Sequence, residues 1–154
     1  MKPLSAILIL LLAACHTAPP KVAFEEKERI DLYLDEVQHT KLSAYDRSLL
    51  IVISGRCGSC TEKTITFIKK IDQQPAYKDY HKILILPDNN AYVADSIKGT
   101  RFTTYIDRQG DLDKYGINFA KNTLVEYRKD EVVLKDYLYL NNIDTLAQQY
   151  HITL

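Results

Sequence analysis

Cys57-Gly58-Ser59-Cys60 lies directly after the continuous apolar run Leu49-Leu50-Ile51-Val52-Ile53 and directly before a helix-like segment, and this junction constrains the chain more than any other stretch. An unbroken run of leucine and β-branched residues suits a strand covered on both faces of a sheet. A helix that begins at the cysteines offers a sulfur its unpaired backbone N–H groups and the positive end of its dipole. Two cysteines at this spacing close a small disulfide, and that helix mouth favours the thiolate on which thiol-disulfide exchange depends. The strand before the motif is what raises it above an incidental C-x-x-C.

The third cysteine bears on the compartment. Lys2 is followed by an apolar stretch from Leu4 to Leu12, and the order of charge, apolar run and small residues reads as a signal peptide. Its ending, Leu12-Ala13-Ala14-Cys15, resembles a bacterial lipoprotein signal, in which cleavage falls before the cysteine and the cysteine carries the lipid. The resemblance implies a signal peptide over 1–14, palmitate on Cys15 and attachment to a membrane through it. An ordinary secretory signal is the alternative; a membrane-spanning anchor is disfavoured because spanning needs roughly 20 apolar residues. His16 stands where an aspartate retains lipoproteins at the inner membrane of some enteric bacteria. The expected place is therefore the cell envelope, at the outer membrane facing the periplasm, with the outer face of the inner membrane as the alternative. With Cys15 acylated, Cys57 and Cys60 are the remaining pair, in a compartment where disulfides persist.

Residues 15–24 contain Pro19-Pro20 and are expected to be an extended tether, with one folded domain over 25–154. The twenty basic and twenty acidic residues balance, which removes the electrostatic footprint of a nucleic-acid binder. Helical spacing of Ile30, Tyr33, Leu34 and Val37 predicts an amphipathic helix within 24–41. A second helix is predicted over 59–71, with Ile65, Ile68 and Ile71 on its apolar side and Glu62, Lys63, Lys69 and Lys70 on the wet side. Ile83 to Leu86 reads as another buried strand, ended by Pro87; Asp88 or Asn89 caps a short helix, Gly99 ends it, and 102–106 forms the next strand. A connection of that length suits a parallel β-α-β unit. A turn at Arg108-Gln109-Gly110 leads to a short helix over 112–115; strands over 123–128 and 132–138 then flank a tight connection at Lys129-Asp130-Glu131, and 142–150 repeats the helical spacing. The sum is α/β: a mixed sheet flanked by helices, with a helical extension at its N-terminal side.

At this point the chain resembles the thioredoxin-like proteins, nearest to the exported thiol-disulfide oxidoreductases of the TlpA-like branch. The resemblance covers 48–151 and rests on Cys57-Gly58-Ser59-Cys60, Tyr105-Ile106-Asp107-Arg108-Gln109-Gly110, Lys114-Tyr115-Gly116-Ile117, Thr123-Leu124-Val125 and Arg128-Lys129-Asp130-Glu131-Val132. It implies a redox disulfide Cys57-Cys60, with Cys57 as the attacking sulfur and Cys60, a helical turn further in, as the resolving one. Arg56, Gly58, Ser59, Lys121 and Asn122 are the candidate substrate-cleft residues. Three positions depart from the family pattern: Arg56 replaces a tryptophan, Ser59 a proline, and Asn122 best matches the family's cis-proline. A trans peptide is expected at Asn122, because a non-proline cis bond costs about 2.5 to 4 kcal/mol. The site of thioredoxin's buried acid is Ile51; Glu126 and Glu62 are the other acids considered, and neither is taken as a proton carrier.

The function expected from this is a lipid-anchored oxidoreductase exchanging thiols and disulfides of exported proteins, reset by an upstream thiol reductant or oxidant. The alternative is a non-catalytic binding or structural lipoprotein in which Cys57-Cys60 is a structural disulfide. No cofactor is implied: phosphate-loop and dinucleotide glycine signatures are absent. No metal is implied either, since two cysteines need further ligands and His39 and His81 lack a paired ligand spacing.

Overall fold

A computed structural model describes residues 24–154. The signal sequence, Cys15 and most of the expected tether lie outside the described residues. Phe24, the last residue of that tether segment, is packed in the core, its ring stacked 6.4 Å from that of Phe119.

Five strands form one mixed sheet in the order β3-β2-β1-β4-β5: β1 (Arg47–Val52), β2 (His81–Pro87), β3 (Thr103–Asp107), β4 (Thr123–Arg128) and β5 (Glu131–Tyr137). β1, β2 and β3 run parallel, with Leu50 opposite Ile83 and Ile85 opposite Tyr105. β4 returns antiparallel to β1, pairing Thr123 with Val52, and β5 is its antiparallel neighbour. The helices are α1 (Lys27–Glu36), α2 (Gly58–Gln73), α3 (Tyr92–Ser96), α4 (Asp111–Lys114) and α5 (Ile143–Gln149). Element order and type follow the sequence expectation. Boundaries move by a few residues, as at α2, where Gln74 stays extended because Pro75 follows it.

The apolar run of β1 is unbroken because both of its faces are covered. Leu49, Ile51 and Ile53 pack with Phe67, Ile68 and Ile71 of α2, Val93 of α3, and Ile143 and Leu146 of α5. Leu50 and Val52 face the other way, onto Ile30, Tyr33 and Leu34 of α1 and Leu112 of α4. Each such buried aliphatic side chain contributes roughly 1.5–3 kcal/mol. The predicted stripe of α2 is displaced slightly: Ile68 and Ile71 are buried with Phe67, while Ile65 is only partly covered.

The α2 side of the sheet also holds charge. Lys82 shares a face of β2 with Leu84 and Leu86 and is 1% exposed, its ammonium 2.7 Å from the Asp72 carboxylate of α2. The Asp72 carboxylate also accepts the Arg101 backbone N–H and Nε–H at 3.2 Å. Burial pushes the Asp72 carboxyl up, but hydrogen bonds and charges from Lys82 and Arg101 outweigh it and hold the group below its ordinary 3.8. A depressed carboxyl pKa adds stability above the ordinary value, which is lost as pH falls through the folded one. Asp72→Ala, which strands a buried ammonium, should cost about 3–5 kcal/mol near neutral pH. Urea unfolding across pH checks this, and the gap between wild type and variant should narrow as pH falls below 3.8.

Candidate active site

The site forms where β1 ends. Ile53 still hydrogen-bonds to the Ile85 carbonyl at 3.0 Å, after which the chain turns out of the sheet through Ser54 and Gly55. Gly55 has φ +72°, and a Cβ there would lie 2.8 Å from Asn90 Oδ1, 3.0 Å from Asn89 Oδ1 and 3.2 Å from Pro87 Cγ. Only glycine allows this turn to press against the loop after β2. The turn sets Cys57 at the N-cap of α2, in extended conformation, with Sγ accepting the Cys60 N–H at 3.3 Å. The Cys57 carbonyl receives both the N–H and the hydroxyl of Thr61, at 3.0 and 2.9 Å. The first turn of α2 contains no acidic residue to compete with a sulfur anion for its N–H groups.

Cys57 and Cys60 are joined by a disulfide, with Cα atoms 5.3 Å apart. Cys57 is partly exposed, whereas Cys60 is 8% exposed and lies beneath it in the helix. Gly58 and Ser59 are both exposed, and nothing lies within 4 Å of a Cβ built on Gly58. The surface over the pair is thus open, and the Ser59 hydroxyl is 3.8 Å from Cys57 Sγ.

Arg56 is exposed and its guanidinium donates to Asn118 Oδ1 at 2.9 Å, bridging the loop before the cysteines to the segment before β4. Between them opens a cleft of about 240 Å³ whose walls include Ile53, Pro87, Asp107, Leu112 and Phe119. The Asp107 carboxylate there accepts the N–H groups of Asp111 and Leu112 at 2.8 and 3.1 Å, capping α4. Lys121 is exposed, with its ammonium over the rings of Tyr139 and Tyr137 at 4.5 and 5.3 Å.

Asn122 departs from the cleft reading. Its side chain is 2% exposed and turned inward, because its amide finds complementary polar groups on Ser54 and Thr64 beneath the loop. Its carbonyl accepts the Leu138 N–H at 2.7 Å, so this residue closes the sheet instead of lining an open surface. The described residues contain no cis peptide, in agreement with the trans expectation at Asn122. Ser54 and Thr64 were not singled out from sequence; the faint signal for Thr64 is its place one helical turn beyond Cys60.

Ile51 is fully buried among apolar side chains. Glu126 lies further along β4, opposite Leu49, and accepts the hydroxyls of Tyr80 and Tyr150 at 2.9 and 3.3 Å. Burial and that carboxylate push the Tyr80 phenol up to about 12, so it remains a donor at physiological pH. Among the described residues no group of three or more His, Cys, Asp and Glu side chains is placed to hold a metal ion, and no helix is long and apolar enough to cross a membrane.

A parallel β-α-β core bearing a cysteine pair at the first crossover helix, followed by an antiparallel hairpin and a terminal helix, decides the architecture. The fold is thioredoxin-like. No protein-family model matches the chain, and no curated protein does. Among solved structures, the thioredoxin-like domain is similar to a putative thioredoxin from Neisseria meningitidis, at 17% identity over 73% of this chain and 81% of that one, with a TM-score of 0.47. It is similar to a secreted disulfide oxidoreductase from Mycobacterium tuberculosis at 13% identity, over 69% of this chain and 81% of that one, with a TM-score of 0.48. An exposed lipoprotein thioredoxin from Streptococcus pneumoniae matches at 16% identity, over 71% and 88% of the two chains, with a TM-score of 0.47.

The Gly55 turn gives a direct test. Gly55→Ala forces a side chain into the left-handed region and against Asn90, and should lower stability by about 2–3 kcal/mol, read by thermal unfolding.

Proposed function

We propose that the thioredoxin-like domain is a thiol-disulfide oxidoreductase acting on thiols or disulfides of exported proteins, anchored to the cell envelope by a lipid on Cys15. The observation that carries the redox reading is the asymmetry of the pair, a partly exposed Cys57 at the mouth of a long helix joined to a covered Cys60. In the reducing direction the Cys57 thiolate attacks one sulfur of a client disulfide, and the other client sulfur leaves and takes up a proton. Cys60 then loses its proton and attacks Cys57 Sγ, releasing the second client sulfur as a thiol. Two electrons pass to the client and the enzyme is left as the disulfide. The oxidising direction is the reverse, and an upstream thiol reductant or oxidant resets the pair.

The Cys60 N–H aimed at Cys57 Sγ, together with the dipole of α2, favours Cys57 as the thiolate. Gly58 leaves the approach to that sulfur free of side chain, and Ser59 brings a hydroxyl to 3.8 Å from it. The anchorage reading rests on the sequence around Cys15. The second reading, a structural disulfide in a binding module, is favoured by the apolar Ile51 and by Glu126 being held by two tyrosines away from the motif.

Cys57→Ser should abolish dithiol-disulfide exchange, whereas Cys60→Ala should accumulate a mixed disulfide through Cys57, read by non-reducing mass spectrometry of the trapped species. Full exchange by Cys57→Ser would overturn the assignment, and a wild-type reduction potential below about −300 mV would favour the structural reading. Cys15→Ser should lose metabolic palmitate labelling and leave the membrane fraction; retention of both would refute the lipid anchor.

A further inference from the structure

We infer that Asn122 is a positioning residue for the cysteine pair, holding both ends of the motif through one directional chain of hydrogen bonds. The inference deepens the redox reading of the same site and rests on it for its functional meaning.

The chain can be followed donor by donor. The Arg56 backbone N–H donates to Ser54 Oγ at 3.4 Å, and the Ser54 hydroxyl donates to Asn122 Oδ1 at 3.2 Å. Asn122 Nδ2 donates to Thr64 Oγ1 at 3.1 Å, and the Thr64 hydroxyl donates to the Cys60 carbonyl at 2.8 Å. Each hydroxyl therefore gives one hydrogen bond and receives one, which is the pattern that leaves no conflict of proton placement. A further bond, from Ser54 N–H to Asn122 Oδ1 at 2.9 Å, fixes the amide against the loop backbone. The Asn122 backbone is itself fixed by the Leu138 N–H. One buried amide thus grips the residue that precedes Cys57 on one side and Cys60 itself on the other.

This arrangement limits how far the ends of Cys57-Gly58-Ser59-Cys60 separate when the disulfide opens. Holding two reacting groups close raises their effective concentration and favours ring closure over separate thiols. Asn122 therefore stabilises the disulfide relative to the dithiol and speeds the attack of Cys60 on a mixed disulfide at Cys57. The same logic makes Ser54 and Thr64 the two arms of the device, one to each end of the motif.

The test is a redox titration of the purified full-length protein against reduced and oxidised dithiothreitol. Reduction moves two electrons and two protons from the reagent to the Cys57-Cys60 bond, while the reagent closes to its own cyclic disulfide. This equilibrium is measured whether or not the protein turns over a client. Asn122→Ala should shift it toward the dithiol by about tenfold, equivalent to about 30 mV. Ser54→Ala and Thr64→Val each remove one arm, and each should shift it in the same direction by a smaller factor, about threefold on an even split of the effect. They also serve if Asn122→Ala does not fold. Tyr150→Phe, which deletes a buried hydroxyl contact to Glu126 away from this chain, should leave the equilibrium constant unchanged. A merely structural Asn122 would change unfolding temperature but not the redox constant, and unchanged constants in the three variants would overturn the inference. A shifted constant in a domain that exchanges with no protein disulfide would uphold the positioning role and overturn the oxidoreductase reading.

Discussion

The two-sided burial of β1 is the constraint on which the rest of the structure depends. Ile51 and its alternate neighbours need α2, α3 and α5 over them, while Leu50 and Val52 need α1 and α4 on the opposite face. A strand covered in this way sits inside the sheet, and here β2 and β4 hydrogen-bond to its two edges. Its end then has one exit, over the rim and directly into the helix that covers it. The left-handed Gly55 makes that exit, and the cysteines follow because they occupy the first turn of the covering helix. The position of the cysteine pair is thus a by-product of how an apolar strand is sheltered.

Polar groups inside the α2 face define particular contacts where apolar packing alone would tolerate alternatives. Lys82 meets Asp72, Glu126 meets two tyrosine hydroxyls, and Asn122 meets Ser54 and Thr64. Breaking any of these leaves a buried group without its partner, and the low local dielectric makes that loss expensive. Asp72 and Thr64 tie α2 at two places along its length, to Lys82 of β2 and to Asn122 before β4, while Glu126 ties the segment after α2 and the end of α5 through Tyr80 and Tyr150.

The apolar elements were legible from sequence because period and continuity report burial directly. The Leu49-Ile53 run, the helix behind the cysteines and the hairpin around Lys129 all occur in the expected order. The polar interior was not legible, because a buried polar side chain is recognised by its partner and the partners are distant in sequence. Asn122 lies 68 residues from Ser54 and 58 from Thr64, and Glu126 lies 46 from Tyr80. Asn122 was accordingly placed in the substrate cleft by its match to a family position, whereas the amide points the other way. Lys82, one residue before the predicted strand of Ile83 to Leu86, carries no such signal either; its buried charge is explained only by Asp72 of α2, 2.7 Å away.

The packing of Phe24 on Phe119 has a consequence for orientation. Phe119 lines the cleft next to Arg56, so the chain enters the domain on the wall of that cleft and not at the far end of the sheet. Under anchorage at Cys15, the nine steps from Cys15 to Phe24 reach at most about 30 Å when fully extended. On the proposed anchorage and redox reading, that reach would hold the cysteine pair within a shallow layer above the lipid, so that clients would be selected by their height over the membrane as well as by their chemistry.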